Sequence, residues 1–363
     1  MLSVITAWAQ PNNRAFDFNT WNDSTLIGKW GFNAEILTYA RNTEYTTKLD
    51  KGKTLLGIQA IPMLSYRPFD SVQFTGGVYL KKDLGSDEFD RISPVFALQI
   101  RQRGHEFTFG TLQGSTTHQL IEPLYHFEGL INKRIENGIQ HRYHGKRIRS
   151  DFWIDWEKMI YQKSPYREEF TAGYSGEWYA VSREKVKWSF PVQVLAHHRG
   201  GEIDASPLPV ESQYNFAYGS RMRFPISDSK LKMIELQGYL TYYEDRSRIP
   251  ADSFIDGLGQ YVSLLFQAKH TGLMLHYWDA HQFQSPNGDP VFRSLSVRNP
   301  AYIFQYRKMV SARLMYERML FPDFLLSGRL HVMSDLHQGN QDFVLELYLR
   351  YRNLSGLRKQ FNR

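Results

Sequence analysis

Apolar and polar side chains alternate with a period of two along most of this chain. Across 147–157, Ile148, Ser150, Phe152, Ile154 and Trp156 share one face, and Arg149, Asp151, Trp153, Asp155 and Glu157 share the other. Across 231–243, Ile234, Leu236, Leu240 and Tyr242 oppose Glu235, Gln237, Tyr239 and Thr241. The same rhythm sets Tyr214, Phe216, Tyr218 and Met222 against Gln213, Asn215, Arg221 and Arg223. It then sets Phe343, Leu345, Leu347, Leu349 and Tyr351 against Glu346, Tyr348 and Arg350. Segments of roughly 10 to 14 residues with one greasy and one polar face are the length a tilted strand needs to cross a bilayer.

Carried through the chain, the pattern predicts sixteen strands: 29–41, 53–66, 71–82, 91–103, 105–112, 138–144, 147–157, 168–182, 186–199, 212–226, 231–244, 257–269, 271–279, 309–321, 325–335 and 342–352. Their links alternate. Short ones (67–70, 104, 145–146, 183–185, 227–230, 270, 322–324) are separated by long ones (42–52, 83–90, 113–137, 158–167, 200–211, 245–256, 280–308, 336–341). Short periplasmic turns opposite long external loops mark outer-membrane barrels, and both termini on the short-turn side require an even strand count. The expectation is therefore an all-β, transmembrane, antiparallel up-and-down β-barrel. Such a sheet must close on itself, because an edge in lipid leaves backbone groups unpaired. No run reaches the roughly 18 to 20 apolar residues of a membrane-spanning helix.

Composition agrees with this picture. Aromatics are 15% of the 363 residues, yet the mean hydropathy is −0.47, so apolar surface is plentiful and everywhere diluted. Tyr66, Tyr143, Trp156, Trp178, Trp188, Tyr242, Trp278 and Tyr351 lie near predicted strand ends, where aromatic girdles sit at headgroup depth. There is no cysteine, which excludes disulfides, thiolate metal sites and cysteine nucleophiles. The net charge of +7 invites an anionic partner, but the densest cluster, Lys146, Arg147 and Arg149, falls at strand ends and speaks for no nucleic acid. The opening MLSVITAWAQ reads as a signal-peptide remnant over 1–9, with Ala7-Trp8-Ala9 as a cleavage pattern. A periplasmic segment over 10–28, the barrel over 29–352 and a tail over 353–363 complete the expected division.

Candidate chemistry is sparse. Phosphate loops, nucleophile elbows and metal-ligand spacings are absent from the sequence. His141 with His144, and His197 with His198, would point to opposite faces of a strand, so neither pair is expected to hold a metal, and no cofactor is expected. By parity the lumen residues are Arg149, Asp151, Asp155, Glu157, Gln213, Arg221, Arg223, Glu235, Gln237, Glu346 and Arg350. The long link 113–137 mixes His118, Glu122, His126, Glu128, Lys133, Arg134 and Glu136 with Leu120, Ile121, Leu124, Leu130 and Ile131. It is either a constriction folded into the lumen or an external loop packed on itself or a partner. The link 280–308, with His281, Phe283, Pro286, Asn287, Gly288 and Pro290, reads as an ordered outer turn, serving as a binding loop or as a lid. A membrane-embedded hydrolase would need Ser, His and an orienting group on neighbouring strands; Ser175, Ser189, His197 and His276 are the parts in view.

The stretches HQLIEPLYHFEGL at 118–130, ENGIQ at 136–140, WIDWE at 153–157 and YWDAHQFQSPNG at 277–288 resemble those of uncharacterised outer-membrane barrels of Bacteroidota, over about the middle half of the chain. That resemblance implies an integral outer-membrane location and a barrel, often found beside surface lipoproteins or nutrient-uptake systems. It brings no catalytic residues. The leading expectation is a non-enzymatic, porin-like passive channel for small polar solutes. One alternative is a plugged barrel scaffolding a lipoprotein or an outer-membrane assembly partner. Another is an enzyme modifying lipid or lipopolysaccharide. The expected partners are outer-membrane lipid and lipopolysaccharide, with surface lipoproteins or other outer-membrane proteins as further candidates.

Overall fold

The computed structural model describes residues 14–21, 26–126, 128–227, 229–299 and 301–356. The expected signal remnant at 1–9 lies outside them. Sixteen strands follow in chain order: β1 (Trp30–Glu44), β2 (Lys53–Phe69), β3 (Val72–Asp83), β4 (Arg91–Gln102), β5 (His105–Thr111), β6 (Asn137–His144), β7 (Ile148–Lys158) and β8 (Glu169–Ser182). The second half comprises β9 (Lys187–Arg199), β10 (Glu211–Pro225), β11 (Leu231–Asp245), β12 (Asp256–Ala268), β13 (Thr271–His281), β14 (Tyr306–Phe321), β15 (Phe324–Asp335) and β16 (Gln341–Gly356). Each pairs antiparallel with its neighbours in sequence, and β1 pairs with β16 from Gly31 opposite Gly356 to Glu44 opposite Phe343, closing the barrel. The strands agree with the predicted set to within a few residues, and β16 runs past the expected barrel end at 352.

Alternation places the two faces. On β16, Phe343, Leu345, Leu347 and Leu349 are 36–57% exposed on the outer wall, while Val344, Glu346, Tyr348 and Arg350 between them are buried. The outer wall is apolar all round, with Leu64, Phe96, Phe109, Leu240, Leu258 and Leu314 exposed among many others. In water such a surface would be untenable; in hydrocarbon it is the matched solvent. Short turns such as Arg103–Gly104, where both residues take positive φ (50° and 84°), reverse the chain in the left-handed region that tight hairpins favour.

The lumen is filled. The segment between β5 and β6 folds inward, with a single helical turn α1 (Gly129–Asn132), and so does the link between β13 and β14. Leu120, Leu124, Phe283, Val291 and Phe292 from these two inserts pack with the inward Trp153, Tyr239, Tyr243, Tyr261 and Trp278 of the wall, each no more than 3% exposed. Residues 14–20 also enter the barrel, burying Phe16 edge-on against Tyr348 and Phe18 beside Ile61 and Tyr79. Of the aromatics expected in the girdles, Trp278 is a correction: it is completely buried and donates from Nε1 to the Phe292 carbonyl (3.1 Å). Counting by twos from the outward Leu273 and Leu275 puts it on the inner face.

Candidate functional site

All eleven residues expected on the inner face do face inward, but they meet charged partners and the inserts. Asp151 accepts from His118; Asp155 and Glu157 hold Lys133 at 2.6 and 2.8 Å. Arg221 pairs with Glu177 (2.8 Å) and Gln237 (3.1 Å), Arg223 with Glu235, and Glu346 with Arg41 (2.8 Å). Gln213 donates to Tyr243 and Arg350 to the Asp17 carbonyl. Arg149 overlies the Tyr179 ring and borders a cavity.

The β5–β6 insert is locked to the wall around its circumference. His118 is fully buried, stacked on Trp153 with ring centres 3.5 Å apart. It bridges Asp151 through Nδ1 and Glu136 through Nε2, each at 3.0 Å. Burial alone would depress its pKa; the carboxylates of Glu136 and Asp151 overcome that and raise it to about 9. Gly173 makes the stack possible, because a Cβ there would lie 2.1 Å from the Trp153 ring. Glu122 receives Arg313 (2.5 Å) and the Tyr261 hydroxyl (3.3 Å). Glu128 pairs with Arg41 and Lys53, and Arg134 with Glu35. His126 lies 3.9 Å from Asp289 in the second insert. The insert is thus the inward-folded alternative of the two expected for it, whereas the β13–β14 link, expected as an outer turn, folds into the lumen beside it because Phe283, Val291 and Phe292 find apolar packing there.

Two cavities flank this packed middle. On the short-turn side, one of about 730 Å³ is bordered by Arg67, Arg101, Arg103, Arg142, Arg149 and Arg221. On the long-loop side, one of about 350 Å³ is bordered by Lys53, His126, Lys133, Glu157 and Asn287.

Among the described residues, serine and histidine side chains meet in two places. Inside the barrel, the His276 Nδ1 lies 2.9 Å from the Ser311 Oγ, and its Nε2 lies 3.5 Å from Glu122. All three are buried, and neither flanking cavity is bordered by Ser311 or His276. On the outer wall, Ser212 and His198 sit directly opposite each other on β10 and β9, at the long-loop end. Ser212 Oγ is 3.0 Å from His198 Nδ1, and His198 Nε2 is 3.1 Å from the Gly200 carbonyl oxygen. A carbonyl only accepts, so Nε2 donates to it, and Nδ1 faces the serine hydroxyl. Of the hydrolase parts named from sequence, Ser189 donates to Glu177 (2.6 Å), His197 meets Thr171 (3.2 Å), and Ser175 borders the larger cavity. The sequence reading missed Ser311 and the Ser212–His198 pair, whose partnership depends on a register that the long β9–β10 loop does not fix.

Comparison with known proteins sets this barrel in context. Solved structures similar to it include a loop-deletion mutant of OmpT, an outer membrane protein of Vibrio cholerae (TM-score 0.52, 11% identity, 90% of this chain and 99% of that one). An anion-selective porin from Comamonas acidovorans gives a TM-score of 0.52 at 10% identity, with 90% and 99% covered. OprD, an outer membrane protein of Pseudomonas aeruginosa, gives 0.50 at 9%, with 94% and 98% covered. At these identities the likeness concerns the fold. No curated protein matches the chain. The chain is an integral outer-membrane β-barrel. The expectation of a non-enzymatic barrel is overturned by the family to which the sequence matches, which is named for an enzyme activity. The physical reason for that error is that strand parity sorts side chains into two faces but does not say which groups are brought together across the barrel, on which any chemistry depends. Residues 22–360 match the model of the Lipid A 3′-O-deacylase-type family, and the chain belongs to that family.

Proposed function

We propose that this protein is an outer-membrane hydrolase that removes an ester-linked acyl chain from lipid A. Family membership over nearly the whole chain supports the reaction class. The observation that carries the reading structurally is the filled lumen: inserts pack apolar side chains across the middle of the barrel and pair their charges with the wall. An interior built this way stiffens the barrel and leaves the lipid-facing wall, where lipid A resides, as the working surface. Ester hydrolysis there needs a nucleophile, a base and water at headgroup depth. The test is incubation of the detergent-folded protein with purified lipid A, followed by mass spectrometry. Release of a fatty acid with a matching loss of mass from lipid A is expected; unchanged lipid A overturns the reading.

One observation favours a second reading, passage of small anionic solutes: six arginines border the short-turn cavity against four carboxylates, Asp70, Glu106, Asp151 and Glu177. It requires the inserts to move aside, and single-channel steps in planar bilayers are its readout. A scaffold for a lipoprotein would instead bring a stoichiometric partner through purification in mild detergent.

A further inference from the structure

We infer that the short-turn mouth of the barrel holds an anion site for a phosphate group, built by Lys146, Arg149, Lys187 and Arg223 and entered from the periplasmic side. It lies at the end of the lumen away from the long loops and does not depend on the deacylase reading.

Strand pairing brings the four cations together. Lys187 on β9 stands directly opposite Arg223 on β10 and Ser182 on β8, and it precedes the inward Ser189 by two positions, so it faces the lumen as Arg223 does. Lys146 comes from the β6–β7 turn, and Arg149 from the start of β7, where it overlies the Tyr179 ring at 5.5 Å. With Tyr179 and Ser182 they border a cavity of about 60 Å³. That is room for one tetrahedral oxyanion, since a water's share of liquid volume is about 30 Å³. Among the described residues no carboxylate borders this cavity.

The fold leaves these cations short of acids. Like charges directly opposite each other on neighbouring strands repel, and Lys187 faces Arg223 in just that way. Arg223 is answered by Glu235 from the next strand. Glu177 stands directly opposite Arg149, but its Oε1 accepts from Arg221 (2.8 Å) and Ser189 (2.6 Å) and its Oε2 from Tyr179 (2.7 Å). Among the described residues no ion pair includes Lys146, Arg149 or Lys187, and Glu184 in the β8–β9 turn pairs with none of them. An oxyanion accepting from their ammonium and guanidinium groups relieves the repulsion, and these are the side chains suited to hold phosphate.

Arg149 also borders the cavity of about 730 Å³, so the two spaces adjoin. The phosphate fits the smaller one, where cations are unopposed, and the rest of the molecule that carries it extends into the larger one, where arginines and carboxylates are mixed. Thr117 and Gln119 of the β5–β6 insert border that larger cavity and close its inner end. An anion entering from the periplasm is therefore held and leaves by the same mouth. No insert has to move, which separates this site from passage of anions through the lumen.

Titration calorimetry with inorganic pyrophosphate tests the site on the folded, full-length protein in a zwitterionic detergent at physiological ionic strength. Saturable binding is expected, and Lys187→Gln should weaken it at least about tenfold. Lys230→Gln removes the same charge from the β10–β11 turn, outside both cavities, and should change the affinity by no more than about twofold. Because Lys187→Gln also removes a repulsion with Arg223, its urea midpoint without pyrophosphate should not fall. Pyrophosphate should raise the midpoint of the intact protein and leave that of the variant in place. In nanodiscs, phosphatidylglycerol that displaces pyrophosphate would identify an inner-leaflet headgroup as the carrier of the phosphate; phosphatidylglycerol without effect would identify a soluble periplasmic molecule, and either result keeps the site. Absence of saturable binding, or equal weakening by Lys187→Gln and Lys230→Gln, overturns the inference whatever the protein does to lipid A.

Discussion

Replacing His118 by alanine should loosen the insert that fills the barrel. In the intact protein the imidazole is fully buried between Asp151 and Glu136, themselves 4% and 5% exposed, and lies flat on Trp153. Its removal strands two buried carboxylates without a cation, a change that costs about 3 to 5 kcal/mol when one partner of a buried pair is deleted. The raised pKa of the imidazole gives a second figure. With the pKa raised from 6.5 to about 9, the bound proton is worth roughly 3 kcal/mol to the closed state. Because the closed-state pKa lies above the free value, this contribution is complete below pH 6.5 and is withdrawn as pH climbs through 9. Hydrogen–deuterium exchange of peptides within 113–136, corrected for the intrinsic pH dependence of exchange, reads the opening free energy. His118→Ala should speed exchange roughly a hundredfold at pH 6, and the intact protein should lose protection between pH 7 and 10 while the variant does not. Exchange within about threefold of the intact protein at pH 6 would refute the latch.

Two other perturbations follow from the same geometry. Leu112 N–H already donates to the Glu136 carbonyl at 3.0 Å, so the insert's ends are adjacent. Excising 113–136 across a short glycine-serine turn should therefore preserve the barrel, and it should turn a silent protein into one giving discrete conductance steps. Gly173→Ala should force Trp153 out of its place and destabilise the barrel by about 1 to 3 kcal/mol in urea unfolding from lipid vesicles.

Period-two patterning carried the strand count, the faces and the alternating loops, because in a barrel each side chain answers to only one of two solvents. It also singled out 113–137 as a segment unlike an ordinary loop, since Leu120, Ile121 and Leu124 beside so many charges need something to pack on. What it did not carry was partnership. Arg134 finds Glu35 across 99 residues and Glu122 finds Arg313 across the barrel, pairings set by closure and by the path of the insert. Ser212 meets His198 through a register lying beyond an irregular loop, to which residue type gives no clue.

The most direct measurement is the mass spectrum of lipid A extracted from Gram-negative cells whose outer membranes carry this protein or lack it. A population of lipid A lighter by one acyl chain, present with the protein and missing without it, is the predicted result. Identical spectra from both would contradict the account.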